Sequence, residues 1–181
     1  MKLLTVFLLT TLATSVFSTN SLPMTIKQDS NQYQQCDAFT LRYGYILKIA
    51  EVGWYAPDCT TSGPILEAND KLIRFHYFKN ISADFFKLSA EEYFLLNINS
   101  EEQRASLKQP LINFNSSYTD IKAGEYFDLV YTNDSNLSLY KNQQLLSMTK
   151  NKLLSKNYFN IWFGKKPAIE KLKKAFQTAK K

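Results

Sequence analysis

The spacing of apolar residues changes along this chain, from a period of two to one near 3.6 and back again. Neither an all-helical nor an all-strand fold accommodates that switching. Over residues 72–78 the alternation is clean: Ile73, Phe75 and Tyr77 share one face, while Arg74 and His76 share the other. Such a pattern predicts a strand with one buried face. Ser82-Ala83-Asp84 then reads as a helix start, and Phe86, Ala90, Tyr93 and Phe94 recur at helical spacing. A second helix is expected over about residues 101–111, beside Pro110.

From Gly124 the period returns to two. Residues 126–131, 137–140 and 144–148 predict a meander joined by Asn, Asp and Ser turns. Residues 158–162 are expected as a last strand, stopped by Gly164. Pro167 then opens a terminal helix with Ala168, Leu172, Ala175, Phe176 and Ala179 on one face. Upstream, residues 39–43 and 45–56 read as strands, the second ended by Pro57-Asp58. Residues 19–35, rich in Gln and Asn, are expected to be a loose lead-in. No repeat or linker divides the chain, so the expected organisation is one α+β domain over residues 36–181.

Composition supports a folded core. Of 181 residues, 45% are hydrophobic and 21% charged, which excludes wholesale disorder. The net charge of +6 is local. Residues 164–181 hold seven lysines against Glu170 alone, and residues 19–163 are almost neutral. No basic reading face and no zinc-finger or RNA-binding motif accompanies the tail, so nucleic acid is not an expected partner. The single His excludes zinc sites needing two or more. Glycine loops for phosphate and metal-binding helix motifs are both missing, and no cofactor is expected.

Residues 1–18 resemble a signal peptide: Met1-Lys2, an apolar run over residues 3–17, and Val16-Phe17-Ser18 before a cut at Thr19. The run is shorter than the roughly 20 residues of a membrane span, although an uncleaved anchor is the alternative. A secreted or periplasmic chain with no transmembrane span in its mature part is therefore expected. In such a compartment Cys36 and Cys59 can form a disulfide. A tight turn at Tyr43-Gly44 would instead place Cys36 near Glu51, and two separate buried thiols remain the alternative.

Four stretches carry a resemblance to a known family. They are Ile49-Ala50-Glu51-Val52-Gly53-Trp54-Tyr55, residues 72–78 with Asn80-Ile81-Ser82-Ala83, Ile121-Lys122-Ala123-Gly124-Glu125, and the closing Phe159-Asn160-Ile161-Trp162-Phe163-Gly164-Lys165-Lys166-Pro167. Together they resemble the chalcone isomerase-like family in its bacterial secreted branch, over about residues 36–178. The resemblance implies an open-faced β-sandwich, a large antiparallel sheet covered on one side by helices. Plant members isomerise chalcones, and non-catalytic members bind fatty acids in the same cleft.

The residues expected for isomerisation are largely replaced. Ala50 stands at the place of a threonine, and Phe85 and Phe86 stand near that of a tyrosine. Glu91 and Glu92 lie where an asparagine is expected, and only Arg42 matches an arginine. With a two-residue turn, Arg42 would share a face with Tyr45, Leu47 and Ile49, opposite Lys48, Ala50, Val52 and Trp54. The expectation is a non-catalytic module for a fatty acid or other small apolar ligand. Arg42 or Lys48 would anchor a carboxylate, and Tyr43, Tyr45, Trp54 and Tyr77 would form walls. An isomerase or lyase with a rearranged site is the alternative. The lysine-rich last helix is a candidate for weak contact with an anionic surface.

Overall fold

The alternation over residues 72–78 is realised as β4 (Lys71–Tyr77), the central strand of a seven-stranded sheet. A computed structural model describes residues 21–178. The expected leader over residues 1–18, and Ala179 of the last helix, lie outside the described residues. β1 (Thr25–Gln28), β2 (Asn31–Tyr43) and β3 (Leu47–Ala56) precede β4, and α1 (Ala83–Leu96) and α2 (Glu101–Asn115) follow it. β5 (Tyr126–Tyr131), β6 (Leu137–Lys141) and β7 (Gln144–Thr149) complete the sheet. The chain closes with α3 (Lys152–Tyr158), the single turn α4 (Asn160–Phe163) and α5 (Glu170–Thr178). Strand order in space is strand order in the chain, and every neighbouring pair is antiparallel.

The two faces of β4 lead into different cores. Ile73, Phe75 and Tyr77 pack with Ala90 and Phe94 of α1 and with residues of α2 to α5. Leu72, on the other face, joins Tyr33, Tyr55 and Tyr140 in a smaller cluster. That second cluster exists because the sheet curls. The Tyr140 hydroxyl donates to Asp29 Oδ2 at 2.9 Å, tying β6 to the β1–β2 turn. Both interstrand helices start as capping chemistry dictates. Ser82 Oγ accepts from the Phe85 amide, and Ser100 Oγ accepts from the Gln103 amide.

Four local expectations are corrected. Much of the expected loose lead-in over residues 19–35 is strand: β1, and the first residues of β2. Ile26, Gln28 and Tyr33 are buried there, while Lys27, Gln32 and Gln34 are exposed. Residues 158–162 are not a strand but belong to α3 and α4. Leu154, Tyr158 and Ile161 recur at helical spacing, and Asn151 Oδ1 caps α3 by accepting from the Leu154 amide at 3.0 Å. The apolar run by itself carries no alternation that would separate the two periods. The second helix continues through Pro110 to Asn115.

The fourth correction concerns the β2–β3 hairpin. Its loop is Gly44-Tyr45-Ile46, and the register shifts so that Leu41 faces Ala50 while Arg42 faces Lys48. Ile49 is the extra residue of a bulge. A second shift places Cys36 beside the Trp54–Tyr55 step, not near Glu51. The chain bends back after Ala56, and Cys36 and Cys59 are disulfide-bonded with Cα atoms 5.2 Å apart.

Candidate functional site

Aromatic side chains from the middle of the sheet lie under α1 without filling the space between. Phe75 and Tyr77 project from β4, and Phe127 from β5. α1 presents Phe86, Ala90 and Tyr93, one stripe at helical spacing. Tyr118 follows α2 and completes the group. Phe86 meets Tyr77 with ring centroids 5.4 Å apart, Phe127 at 5.2 Å and Tyr118 at 5.6 Å. Trp162 of α4 lies 5.0 Å from Phe75 on the far side. Between them is a cavity of about 560 Å³, well inside the range of small-molecule sites. Phe85 and Glu92 also line it and are exposed, which marks its mouth.

The lining is apolar with a few hydroxyls. Glu92 is its only charged residue among those described. Burial holds the Tyr77 phenol well above its ordinary value and pushes Tyr118 up to about 12. Both are therefore neutral donors near neutral pH. The Tyr118 proton is committed: Tyr158 donates to Asn115 Oδ1 at 2.7 Å, leaving its own oxygen to accept from Tyr118 at 3.2 Å. The Tyr77 hydroxyl has no hydrogen-bond partner among the described residues. The lining offers extensive apolar surface and neutral hydroxyls, with no cation to hold a developing oxyanion.

Of the six residues expected to bind ligand, only Tyr77 lines the cavity. Arg42 is exposed and donates from Nη1 to the Ile46 carbonyl at 3.3 Å, across the hairpin tip. Tyr43 and Tyr45 are 78% and 99% exposed at that tip. The bulge at Ile49 explains Lys48: it turns Ile49 into the cavity and Lys48 toward the opposite face. There the ammonium pairs with Glu51 at 2.5 Å and lies 4.1 Å above the Phe78 ring. Trp54 is buried nearer the last helix, 6.5 Å from Phe176, and does not reach the cavity.

The positions at or near those expected for isomerisation are closer to it. Ala50 is buried in the sheet between its cross-strand partners Leu41 and Tyr77, both of which line the cavity. Phe85, Phe86 and Glu92 line it directly, and Glu91 does not. The sequence pattern gave no sign of Ile49, whose inward position depends on the bulge. Tyr118 and Trp162 were also missed, because an aromatic content of 14% is accounted for by a core as readily as by a lined pocket.

A family model described as chalcone isomerase-like matches residues 15–176. The chain belongs to the chalcone isomerase-like family. Among solved structures, the crystal structure of an Arabidopsis thaliana fatty-acid binding protein shares the fold, with a TM-score of 0.63 and 16% identity. That likeness covers 86% of this chain and 90% of the plant protein. No curated protein matches the sequence significantly. The family and the fold, an open-faced sheet covered by helices, are as expected from the four stretches. No helix among the described residues is long and apolar enough to cross a membrane.

Proposed function

We propose that this chalcone isomerase-like chain is a non-catalytic binding protein that holds a small apolar ligand with a fatty-acyl or comparable chain. The observation that carries this is the cavity of about 560 Å³ between β4, β5 and α1, walled by aromatic side chains. A hydrophobic void of that size in a packed interior costs stability unless something fills it. The fatty-acid binding protein of Arabidopsis thaliana supports the same use of the fold.

The test is thermal unfolding with added dodecyl-chain compounds, together with mass spectrometry of lipids that co-purify. Ligand at 100 times its dissociation constant stabilises by about 2.7 kcal/mol. For a chain of this size that raises Tm by roughly 5–10 °C. Ala90→Leu, which projects a larger side chain into the cavity, is expected to keep the fold and abolish the rise. A protein without bound lipid and with an unmoved Tm would sink the proposal.

The proposed location is secreted or periplasmic. The Cys36–Cys59 disulfide supports an oxidising compartment, as does the apolar start of the chain. Thiol alkylation of fractionated cells, finding the bridged form outside the cytoplasm, checks this. The proposed role of α5 is a weak contact with anionic surfaces. Leu172 and Phe176 are buried against the domain, so only the lysine-bearing side is presented. A charge-driven contact of this kind weakens with salt, which vesicle sedimentation measures.

A further inference from the structure

We propose that the ligand held in this cavity carries an uncharged, hydrogen-bonding head group, such as an alcohol, aldehyde or ester, set against the Tyr77 hydroxyl. This rests on the cavity being a ligand site and names the class of ligand. A buried carboxylate needs a cation or several donors to replace its water. The lining provides neither: among the described residues it contains no Lys, Arg or His.

Cations adjoin the lining in sequence, but each is directed elsewhere. Arg42 follows Leu41, yet its guanidinium bonds the Ile46 carbonyl at the exposed hairpin tip. Lys48 precedes Ile49, and the bulge turns it to Glu51 and the Phe78 ring. Arg74 sits between Ile73 and Phe75 on the opposite face of β4, where it forms a two-pronged pair with Asp128. Lys87 follows Phe86 but lies outside the stripe of Phe86, Ser89, Ala90 and Tyr93 that faces the cavity. The one charged group that does line it, Glu92, would repel a carboxylate.

Tyr77 supplies what an uncharged head group requires. It is 8% exposed, its ring is fixed against Phe75, Phe86 and Phe127, and its hydroxyl is unpartnered among the described residues. Its desolvated phenol stays protonated and so remains a donor. The hydroxyl belongs to a residue that lines the cavity, and an alcohol or carbonyl oxygen held there can take the place of water as its partner. A hydroxyl ligand can also accept from Tyr77 while donating to another group.

The experiment uses the full, disulfide-bonded chain and displacement of Nile red, a neutral apolar dye. The competitors are 1-dodecanol, dodecanoate and dodecylamine at about pH 8, where a carboxylate is ionised. Dodecanol is expected to bind at least about tenfold more tightly than dodecanoate, the difference between a satisfied and an unsatisfied buried group. Tyr77→Phe keeps the ring and is expected to weaken dodecanol by roughly three- to tenfold, leaving dodecanoate unchanged. Dodecanoate binding as tightly as dodecanol overturns the head-group assignment alone. So does a dodecanol affinity indifferent to Tyr77→Phe, and so does preference for dodecylamine, which would point to Glu92. Binding of none of the dye and the three competitors overturns both this assignment and the proposed function.

Discussion

The guanidinium of Arg74 is sandwiched between an acid and a ring. Its Nε and Nη2 donate to Asp128 Oδ1 and Oδ2, both at 2.7 Å, and its carbon lies 3.8 Å from the centre of the Tyr126 ring. Both partners are buried, so neither charge can fall back on water. Asp128→Ala is expected to destabilise by about 3–5 kcal/mol, chiefly through the cation left behind. Replacing both, as Arg74→Met with Asp128→Leu, should recover most of that loss. Urea unfolding of the single and double variants measures it, and ligand binding should survive in the double variant because the pair lies across the sheet from the cavity. The alternation around Arg74 correctly assigned its face, but not its burial. That burial requires the sheet to curl, and the strand bearing Asp128 comes long after Arg74 in the chain. Tyr77 was assigned correctly for the opposite reason: its face follows from local alternation alone.

At the scale of elements, one junction joins α1 to the closing segment. Asn97, at the end of α1, donates from Nδ2 to the carbonyls of Tyr93 and Lys166, each at 2.8 Å. Its Oδ1 accepts from the Lys166 amide at 2.9 Å. Gly164 lies inside this clasp, and a Cβ there would stand 2.6 Å from the Asn160 carbonyl oxygen and also strike Asn97. Gly164→Ala is therefore expected to cost about 1–3 kcal/mol through overpacking, read as a lowered midpoint in denaturant. Because α1 forms one wall of the cavity, the same variant should also weaken ligand binding. Glycine at this place was recognisable in the sequence, whereas the element before it was mistaken. Phe159-Asn160-Ile161-Trp162-Phe163 is apolar enough for either period, and the deciding cue was the cap Asn151, eight residues upstream of Phe159. The bulge at Ile49 had no comparable cue. Inserting one residue in a hairpin exchanges which side chains face in, and so it moved Lys48 and Arg42 away from the places expected for them.

At the scale of the whole molecule, buried phenols set the response to alkali. Desolvation pushes Tyr33, Tyr55 and Tyr118 up to about 12, and holds Tyr77 and Tyr158 well above their ordinary value of 10.0. In the unfolded chain each would lose its proton near pH 10. Their favourable contribution is therefore complete below about pH 10 and is lost as pH rises toward 12. A shift of two units corresponds to about 2.7 kcal/mol per group. Unfolding followed by circular dichroism should coincide with the tyrosinate absorbance of these residues, well above the ordinary titration. Ionisation of these five phenols near pH 10 with the fold intact would contradict this. The disulfide works against the same transition, since closing its loop lowers the entropy of the unfolded chain by an amount worth about 3 kcal/mol.

The order of the strands also fixes when the cavity can come into being. β1 to β3 are joined by hairpins, β3 to β4 by the loop of residues 57–70, and β5 to β7 by short turns, which makes each group of ladders more local in the chain than the one between them. The β4–β5 ladder is different, because α1 and α2 are inserted between its two strands. Closing that long loop must precede the ladder's own contacts, a barrier set by chain topology rather than by side-chain chemistry. Phe75 and Tyr77 stand on one side of this seam and Phe127 on the other. A refolding chain therefore acquires its binding site only when the seam closes, and uptake of an apolar dye would time that event directly.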